Sequence, residues 1–255
     1  MSDVEISVLL PVFNERRNLA PLIEEIASAL SGVTFEIVAV DDGSTDGSRE
    51  ELLRLRHHTP QLRIVSLVER SGQSAALAAG VDVARGDVVI TMDADGQNDP
   101  ADIPRLLKLR RDGGNVAAVV GVRVDRSVGR WKRIQARVAN RVRDLVTGDA
   151  VRDTGCALRV INREHMRRLS RFRGMHRFVP TLLRLEGIQV IETPVRDRPR
   201  RHERSKYGMW NRIWVGWVDA WGVRWMRTRR LTYRLREVED GRDVTAEKAT
   251  RSDHF

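Results

Sequence analysis

FEIVAVDDGSTDGS, residues 35–48, decides how the rest of the chain is read. FEIVAV reads as a β-strand, and the acidic, turn-prone DDGSTDGS follows it directly. Upstream, EISVLLPVF at 5–13 reads as a buried strand ended by a loop. Leu19, Leu22, Ile23, Ile26, Ala27 and Leu30 then recur at helical spacing over 18–31. Downstream, Ser44 or Thr45 is expected to cap a helix over 46–56. RIVSLV at 63–68 gives a third strand, an alanine-rich helix spans 73–84, and DVVITM at 87–92 gives a fourth strand ending at DADGQ. A helix over 100–112 and a strand at 116–121 continue the series. Strand and helix thus alternate through about 120 residues, which implies an α/β fold with a doubly wound, mostly parallel sheet.

In such sheets ligands bind beyond the carboxyl ends of the strands. Asn14-Glu15, Asp41-Asp42 and Asp93-Asp95 each follow a predicted strand, so all three should meet at one edge. Carboxylates held close together repel and raise one another's pKa, a conflict that a bound divalent cation removes. Asp93 and Asp95 set two carboxylates at alternating positions just past a strand, and Gln97 adds a neutral oxygen two residues on. Oxygen ligands of this kind suit Mg2+ or Mn2+. A cation held by few protein ligands keeps positions for a diphosphate and stabilises its leaving charge. A lone D-x-D is more often a solvated loop, and Asp-Gly is ordinary turn chemistry. The weight lies in the succession strand–PVFNE, strand–DDGSTDGS, strand–DADGQ.

The chain has 255 residues, 41% of them hydrophobic, enough for one buried domain or a domain with an appendage. A single cysteine, Cys156, excludes an internal disulfide framework and fits a reducing compartment. MSDVEISVLLPVFNE lacks the layout of a secretory signal, and charges interrupt every long apolar stretch, so no conventional membrane span is expected. Net charge is +10, with acidic clusters in the first hundred residues and dense arginine over 123–236. That balance suits an anionic partner: nucleic acid, an anionic membrane or a phosphorylated ligand. Within DTGCALR, 153–159, Asp153 and Thr154 can cap or turn, and Gly155 permits close backbone approach. Asp153 either plays that structural part or orients an acceptor or acts as base. Cys156 reads as a small buried residue rather than a reactive thiol.

LLPVFNE, VDDGSTDGS, GQSAALAAG, DVVITMDADGQNDP, DTGCALRV and ERSKYGMWNR, taken together over roughly residues 5–210, resemble the family 2 glycosyltransferases. The likeness is to their polyprenol-phosphate branch, home of dolichol-phosphate mannosyltransferases and undecaprenyl-phosphate sugar transferases, the 4-deoxy-4-formamido-arabinose transferases in particular. It implies a GT-A fold and an inverting, metal-dependent transferase that moves a sugar from a UDP- or GDP-sugar donor to a polyprenyl phosphate. It also implies site residues. Pro11, Asn14 and Glu15 would line the nucleotide pocket, and Asp42 would meet the base with Asp41 nearby. Asp93, Asp95 and Gln97 would bind the metal and the diphosphate. Arg123, in VVGVR, would sit near the donor or acceptor phosphate, and Arg200 and Lys206 would close over the diphosphate. Relatives place a glycine shortly before the SKY triplet, where this chain has Glu203. A lipid phosphate is already anionic near neutral pH, with a second pKa of about 6. Such an acceptor needs little deprotonation, so catalysis would rest on orientation and on electrostatic stabilisation of the leaving diphosphate.

Five of the six tryptophans, Trp210, Trp214, Trp217, Trp221 and Trp225, lie in MWNRIWVGWVDAWGVRWM, 209–226. On a helix they fall within an arc of roughly 80°. Arg212, Asp219 and Arg224 interrupt the run, which disfavours a span and favours an amphipathic interfacial helix. Tryptophan prefers the headgroup level, and the following RTRRLTYRLR adds attraction to anionic lipid. The competing reading packs the stripe on the catalytic domain or on a partner subunit. A second helix over 131–146, with Trp131, Ile134, Val138, Val142 and Leu145 at helical spacing and a basic opposite face, is open to the same two readings.

The expected organisation is a catalytic domain at 1–207, a Trp/Arg-rich membrane-interface segment at 208–236 and a polar, disordered tail at 237–255. The protein would be peripheral on the inner, cytoplasmic face of the cell membrane. A membrane-protein partner or a second copy could replace the C-terminal spans that many relatives carry. A related transferase with a soluble or glycan acceptor is the alternative enzyme. A nucleic-acid-binding module is a different class; it predicts no dependence on the acidic loops, and the chain has no recognised RNA- or DNA-binding signature. No G-x-G-x-x-G opens a helix after the first strand, which disfavours a dinucleotide-binding oxidoreductase.

Overall fold

The structure, a computed structural model, describes residues 4–114, 116–123, 151–199 and 209–229, the last with side chains from Asp219 onward. β1 (Ile6–Val12), α1 (Arg16–Ala29), β2 (Phe35–Asp41), α2 (Ser48–Arg56), β3 (Leu62–Ser66), α3 (Gln73–Val83) and β4 (Val88–Thr91) alternate as the sequence predicts. The predicted helix at 100–112 splits into a 3-10 turn, Pro100–Asp102, and α4 (Ile103–Asp112). β5 (Ala118–Arg123), β6 (Arg159–Asn162), α5 (Arg163–Arg168), a 3-10 turn at Met175–Arg177, α6 (Val179–Leu185), β7 (Val190–Val195) and α7 (Met209–Thr228) follow.

Among the described residues the strands form one sheet of order β3-β2-β1-β4-β6-β5-β7. β1, β2, β3 and β4 run parallel; β6 is antiparallel to both β4 and β5, and β5 and β7 pair in parallel. The chain therefore winds outward from β1 through β2 to β3, then crosses back to β4 on the other side of β1. The point between β1 and β4 is where such sheets open a ligand crevice. β1 pairs with β4 only as far as Leu9–Thr91, but with β2 as far as Val12–Asp41. Past Leu9 the strand is open on its β4 side. Pro11, which has no N–H to satisfy, occupies that opening.

Alternation along β1 divides the core. Val8 and Leu10 face one cluster with Leu19, Ile23 and Ile26 of α1 and Ile103 and Leu106 of α4. Leu9 faces the other, with Leu77 and Val81 of α3, Leu182 and Leu183 of α6, and Ala220 and Val223 of α7. Because both faces are covered, β1 is buried throughout except at Pro11. This is the GT-A architecture expected from the sequence, a mixed but mostly parallel sheet with helices.

The cap of α2 differs from expectation. Gly47, with φ 87°, precedes the helix, and neither Ser44 nor Thr45 caps it. Asp46 instead accepts from the backbone N–H of Ser48 at 2.9 Å, while Ser44 N–H is drawn back to Asp41 Oδ1 at 3.1 Å. The carboxylates of the loop take its own amides, and the hydroxyls of Ser44 and Ser48 accept from the neighbouring loop instead. The antiparallel β6 was not foreseen; its four residues are too few to show a period. The predicted helix at 131–146 and the tail from 237 lie outside the described residues.

Candidate functional site

The carboxyl ends of β1, β2, β4 and β5 and the amino end of β6 share one edge of the sheet, and a cavity of about 260 Å³ opens there. From the predicted set, Pro11, Asp93, Asp95, Gln97 and Arg123 line it. Arg200 and Lys206, and their neighbours Arg201, Glu203 and Arg204, lie outside the described residues.

The DADGQ loop is clamped from behind. Asn98 Oδ1 accepts from Asp93 N–H at 3.3 Å, and Gln97 accepts through its carbonyl from Arg198 N–H at 2.9 Å. Asp99 caps the 3-10 turn through Ala101 N–H and takes an ion pair from Arg198 at 2.6 Å. Arg198 also reaches Glu25 of α1 at 2.5 Å. These contacts fix the loop so that Asp93, Asp95 and Gln97 border the cavity. Asp95 is 5% exposed and accepts from Gln97 N–H at 3.0 Å. Gln73, the first residue of α3, donates to Asp93 Oδ1 at 2.6 Å. Two carboxylates and an amide oxygen make an all-oxygen donor set, the chemistry that suits a hard divalent cation. No group of three or more His, Cys, Asp or Glu side chains converges among the described residues.

Asn14, Glu15, Asp41 and Asp42 stand apart from the cavity lining and hold the loops together. Asn14 adopts φ 57°, and its Oδ1 accepts from Thr45 N–H at 2.7 Å while its own N–H donates to Ser44 Oγ at 3.0 Å. Glu15 N–H donates to Ser48 Oγ, and Glu15 Oε2 accepts from Asn18 Nδ2. The PVFNE and DDGSTDGS loops are thus laced to each other. Asp42 is 4% exposed and accepts from the N–H groups of Ser71 and Gly72 at 2.6 and 2.9 Å. It thereby fixes the entry to α3 and, with it, Gln73.

The lining is also basic, with Arg123, Arg159 and Arg177. Arg123 ends β5 and is gripped by Asp153: Nε–Oδ2 2.8 Å, Nη2–Oδ1 3.1 Å and backbone N–Oδ2 3.1 Å. Asp153 Oδ1 also accepts from Gly155 N–H at 2.9 Å. A Cβ at Gly155 would stand 2.6 Å from Arg123 Nη2, so a side chain there would displace the guanidinium. Burial alone would raise the Asp153 pKa, but the hydrogen bonds and charge of Arg123 outweigh it and hold the carboxyl below its ordinary value. The bond from Asp153 pushes the Arg123 pKa further up. Cys156 is buried, and desolvation aided by Asp153 pushes its thiol up to about 11, as an inert core residue requires.

The sequence reading missed Gln73, Thr91, Arg159, His176 and Arg177, all of which line the cavity. Arg159 was visible as a charge in an otherwise apolar strand, ALRVI. His176 and Arg177 sit in RGMHRF, which carries no recognisable motif. His176 Nδ1 meets Ser74 Oγ at 2.8 Å, and burial, reinforced by Arg177 and Arg159, lowers its pKa to about 3, so it is neutral. Arg177 Nη1 lies 3.6 Å from Asp219 on α7. Desolvation raises the Asp219 pKa, and its Oδ2 is buried without a hydrogen bond.

α7 divides its faces. Ala220 and Val223 are buried in the core, whereas Trp221 and Trp225 are 58% and 63% exposed, with Arg224, Arg227 and Arg229 beside them. For these two tryptophans the core-packed reading does not hold. The side chains of Trp210, Trp214 and Trp217 lie outside the described residues. No described helix is long and apolar enough to cross a membrane.

Residues 7–170 match the model of glycosyl transferase family 2. The dodecaprenyl-phosphate galacturonate synthase of Rhizobium johnstonii is 34% identical over 218 residues, 82% of this chain and 63% of its own length. The undecaprenyl-phosphate 4-deoxy-4-formamido-L-arabinose transferase of Edwardsiella ictaluri is 36% identical over 208 residues, 80% of this chain and 63% of its own. The chain thus spans about 63% of the length of these curated relatives. Among solved structures, a mannosyltransferase of Pyrobaculum calidifontis in complex with GDP-Man and Mn2+ superposes with a TM-score of 0.66 at 20% identity, over 91% of this chain and 67% of that one. Glucosyl-3-phosphoglycerate synthase of Mycobacterium tuberculosis, with Mn2+, UDP-glucose and phosphoglyceric acid, gives 0.66 at 20% identity over 86% and 80%. At these identities the structural likeness speaks for the fold alone.

Proposed function

The chain belongs to glycosyl transferase family 2, and from that membership we propose that it is an inverting transferase moving a sugar from a UDP- or GDP-sugar to a polyprenyl phosphate. The observation that carries the reading is one cavity lined by both the carboxylates Asp93 and Asp95 and the guanidiniums Arg123, Arg159 and Arg177. A nucleotide sugar brings a diphosphate that asks for a cation, and a lipid phosphate brings an anion that asks for arginine. Both curated relatives described above are named for transfer to a polyprenyl phosphate.

Asp93 and Asp95, with the Gln97 amide oxygen, would hold Mg2+ or Mn2+, which when bound neutralises charge on the departing diphosphate. The remaining work falls to the protein. Gln73 orients Asp93, and Asp42 sets the loop that carries Gln73. Asp153 aligns Arg123 toward the cavity, which makes it a positioning residue rather than a base. Catalysis then comes from orientation and fixed charge.

The catalytic domain would span 1–207, with Arg200 and Lys206 completing the donor site, and 208–236 would lie on anionic lipid at the cytoplasmic face. The outward Trp221 and Trp225 with flanking arginines support that placement. Donor profiling tests the reading: UDP- and GDP-sugars with Mn2+ or Mg2+ and undecaprenyl phosphate, scored for lipid-linked sugar. Transfer that proceeds equally to a glycan or soluble acceptor, with none to the lipid phosphate, would overturn it.

A further inference from the structure

Arg159 is a buried cation that no described carboxylate meets at ion-pair distance; Asp93 and Asp153 act on it from further off. It is 3% exposed, opens β6 opposite Thr91 of β4 and Val120 of β5, and lines the cavity. Its Nη2 donates to the Thr154 carbonyl at 3.2 Å, and its Nε is buried with no hydrogen-bond partner. The other arginines of the cavity each face a carboxylate, Arg123 at Asp153 and Arg177 at Asp219. Among the described residues Arg159 forms no ion pair. A buried charge with no counter-ion in contact carries a desolvation cost that carboxylates further off offset only in part. A purely structural residue at this position would be apolar, as Ile161 is two residues further along the same face.

We propose that Arg159 receives a phosphoryl oxygen of the acceptor's phosphate monoester, on the side of the DADGQ loop away from the nucleotide. This rests on the transfer reading above. The order of strands supplies the argument. Across the sheet edge come the β2 and β1 loops, then Asp93 and Asp95 after β4, then Arg159 on β6, then Arg123 at the end of β5. In a nucleotide sugar the anomeric carbon lies beyond the diphosphate from the base. With the diphosphate at the β4 loop, a single displacement brings the acceptor from the β6–β5 side. The acceptor's phosphate oxygen forms the new bond to the anomeric carbon. The bond from that carbon to the donor diphosphate breaks, its electron pair leaves with the nucleoside diphosphate, and no proton need move. The guanidinium fork matches phosphate geometry, and an arriving dianion gives the orphaned Nε the acceptor it lacks.

The test uses Arg159→Met, apolar and similar in length, and Arg159→Lys, which keeps the charge but loses the fork. Farnesyl monophosphate is titrated into each protein without donor, UDP and GDP are titrated in parallel with Mn2+, and melting is recorded. R159M is expected to melt at or above wild type, because a buried unpaired charge is removed. Its affinity for farnesyl monophosphate should fall roughly 10- to 100-fold, with nucleotide affinity held within about twofold, and R159K should fall between the two. Should R159M fail to fold, R159K decides by the same measure. Unchanged affinity for farnesyl monophosphate, or a loss confined to UDP and GDP, overturns the assignment, the latter by moving Arg159 to the donor diphosphate. Arg159-dependent binding in a protein that transfers nothing to polyprenyl phosphate would sink the transfer reading and leave the phosphate site standing. Transfer by wild type with the variants unaffected would do the reverse.

Discussion

Asp153→Asn separates a positioning role from proton transfer at the cavity. The carboxylate grips Arg123 through two side-chain bonds of 2.8 and 3.1 Å and one backbone bond. Asparagine preserves the shape but leaves one carbonyl acceptor and no charge. Trading charge-assisted bonds for neutral ones costs about 1–2 kcal/mol each. The Arg123 side chain is 35% exposed, so solvent screening argues for the low end, about 2 kcal/mol in all. In a domain of this size that is a drop of roughly 4–8 °C in Tm. If the same loosening reaches the transition state, kcat/KM falls by about 30-fold, mostly through acceptor KM. The pH–rate profile between about pH 6 and 9 should keep its shape. The stability arm has a defined sign. The Asp153 pKa is depressed in the folded state, so its stabilisation is present above the ordinary value of 3.8 and is lost as pH falls through the lower folded value. The gap between wild type and D153N should therefore close in acid. Steady-state kinetics with both substrates varied, and urea unfolding across pH, make the measurement. A loss of kcat of a thousandfold or more, with both KM values and the Tm unchanged, would refute the reasoning and make Asp153 a base.

Asp95→Ala should abolish transfer and the thermal shift given by Mn2+ while the protein stays folded; transfer within a few-fold of wild type at saturating donor would show that DADGQ is not the cation site. Trp221→Ser combined with Trp225→Ser should release the protein from anionic liposomes with little change in Tm, since both side chains are largely exposed. In wild type that binding should weaken with salt, and a double mutant that still sediments fully would exclude this part of α7 as the anchor. Asp219→Asn addresses the buried carboxylate beside Arg177. Desolvation raises its pKa, so wild type should lose stability as pH rises through that value while D219N does not. Parallel unfolding curves for the two proteins from about pH 4 to 7 would contradict that assignment.

The first half of the fold was legible because each strand there is a continuous apolar run that ends in a polar loop, and parallel strands covered on both faces produce such runs. β1, β2 and β4 deliver PVFNE, DDGSTDGS and DADGQ to a single edge, as the spacing required. What escaped was whatever depends on partners distant in sequence. Asp42 accepts from the amides of Ser71 and Gly72, and nothing local to DDGS announces that. Asp153 was open to a capping role or to orienting an acceptor or acting as base, and only the return of the chain beside the end of β5 brings it to Arg123. Arg159 gave a local signal, a charge inside an apolar strand, whose meaning waited on the antiparallel insertion of β6 between β4 and β5. His176 and Arg177 gave none, since a short 3-10 turn has no period to read.

The acidities around the cavity bear on what kind of chemistry it can perform. A general acid or base works best with a pKa near the working pH. Three groups beside the cavity shift away from neutrality, while Asp219, next to Arg177, shifts up toward it. His176 falls to about 3, Cys156 rises to about 11, and Asp153 drops below the ordinary carboxyl range. Burial sets the first two, while the bonds that hold Arg123 at the end of β5 set Asp153; His176 also meets Ser74 at the start of α3. Groups that would be proton carriers in a looser site are here committed to holding others still. Such a site suits a nucleophile that arrives already ionised and a leaving group that departs as an anion. It would serve poorly for an alcohol that must first lose its proton. These three acidities fit the phosphate acceptor proposed above. An acceptor series makes the distinction: farnesyl monophosphate should accept sugar where farnesol does not. Equal transfer to both would require a base, and Asp219, whose pKa is raised beside Arg177, would be the group to test.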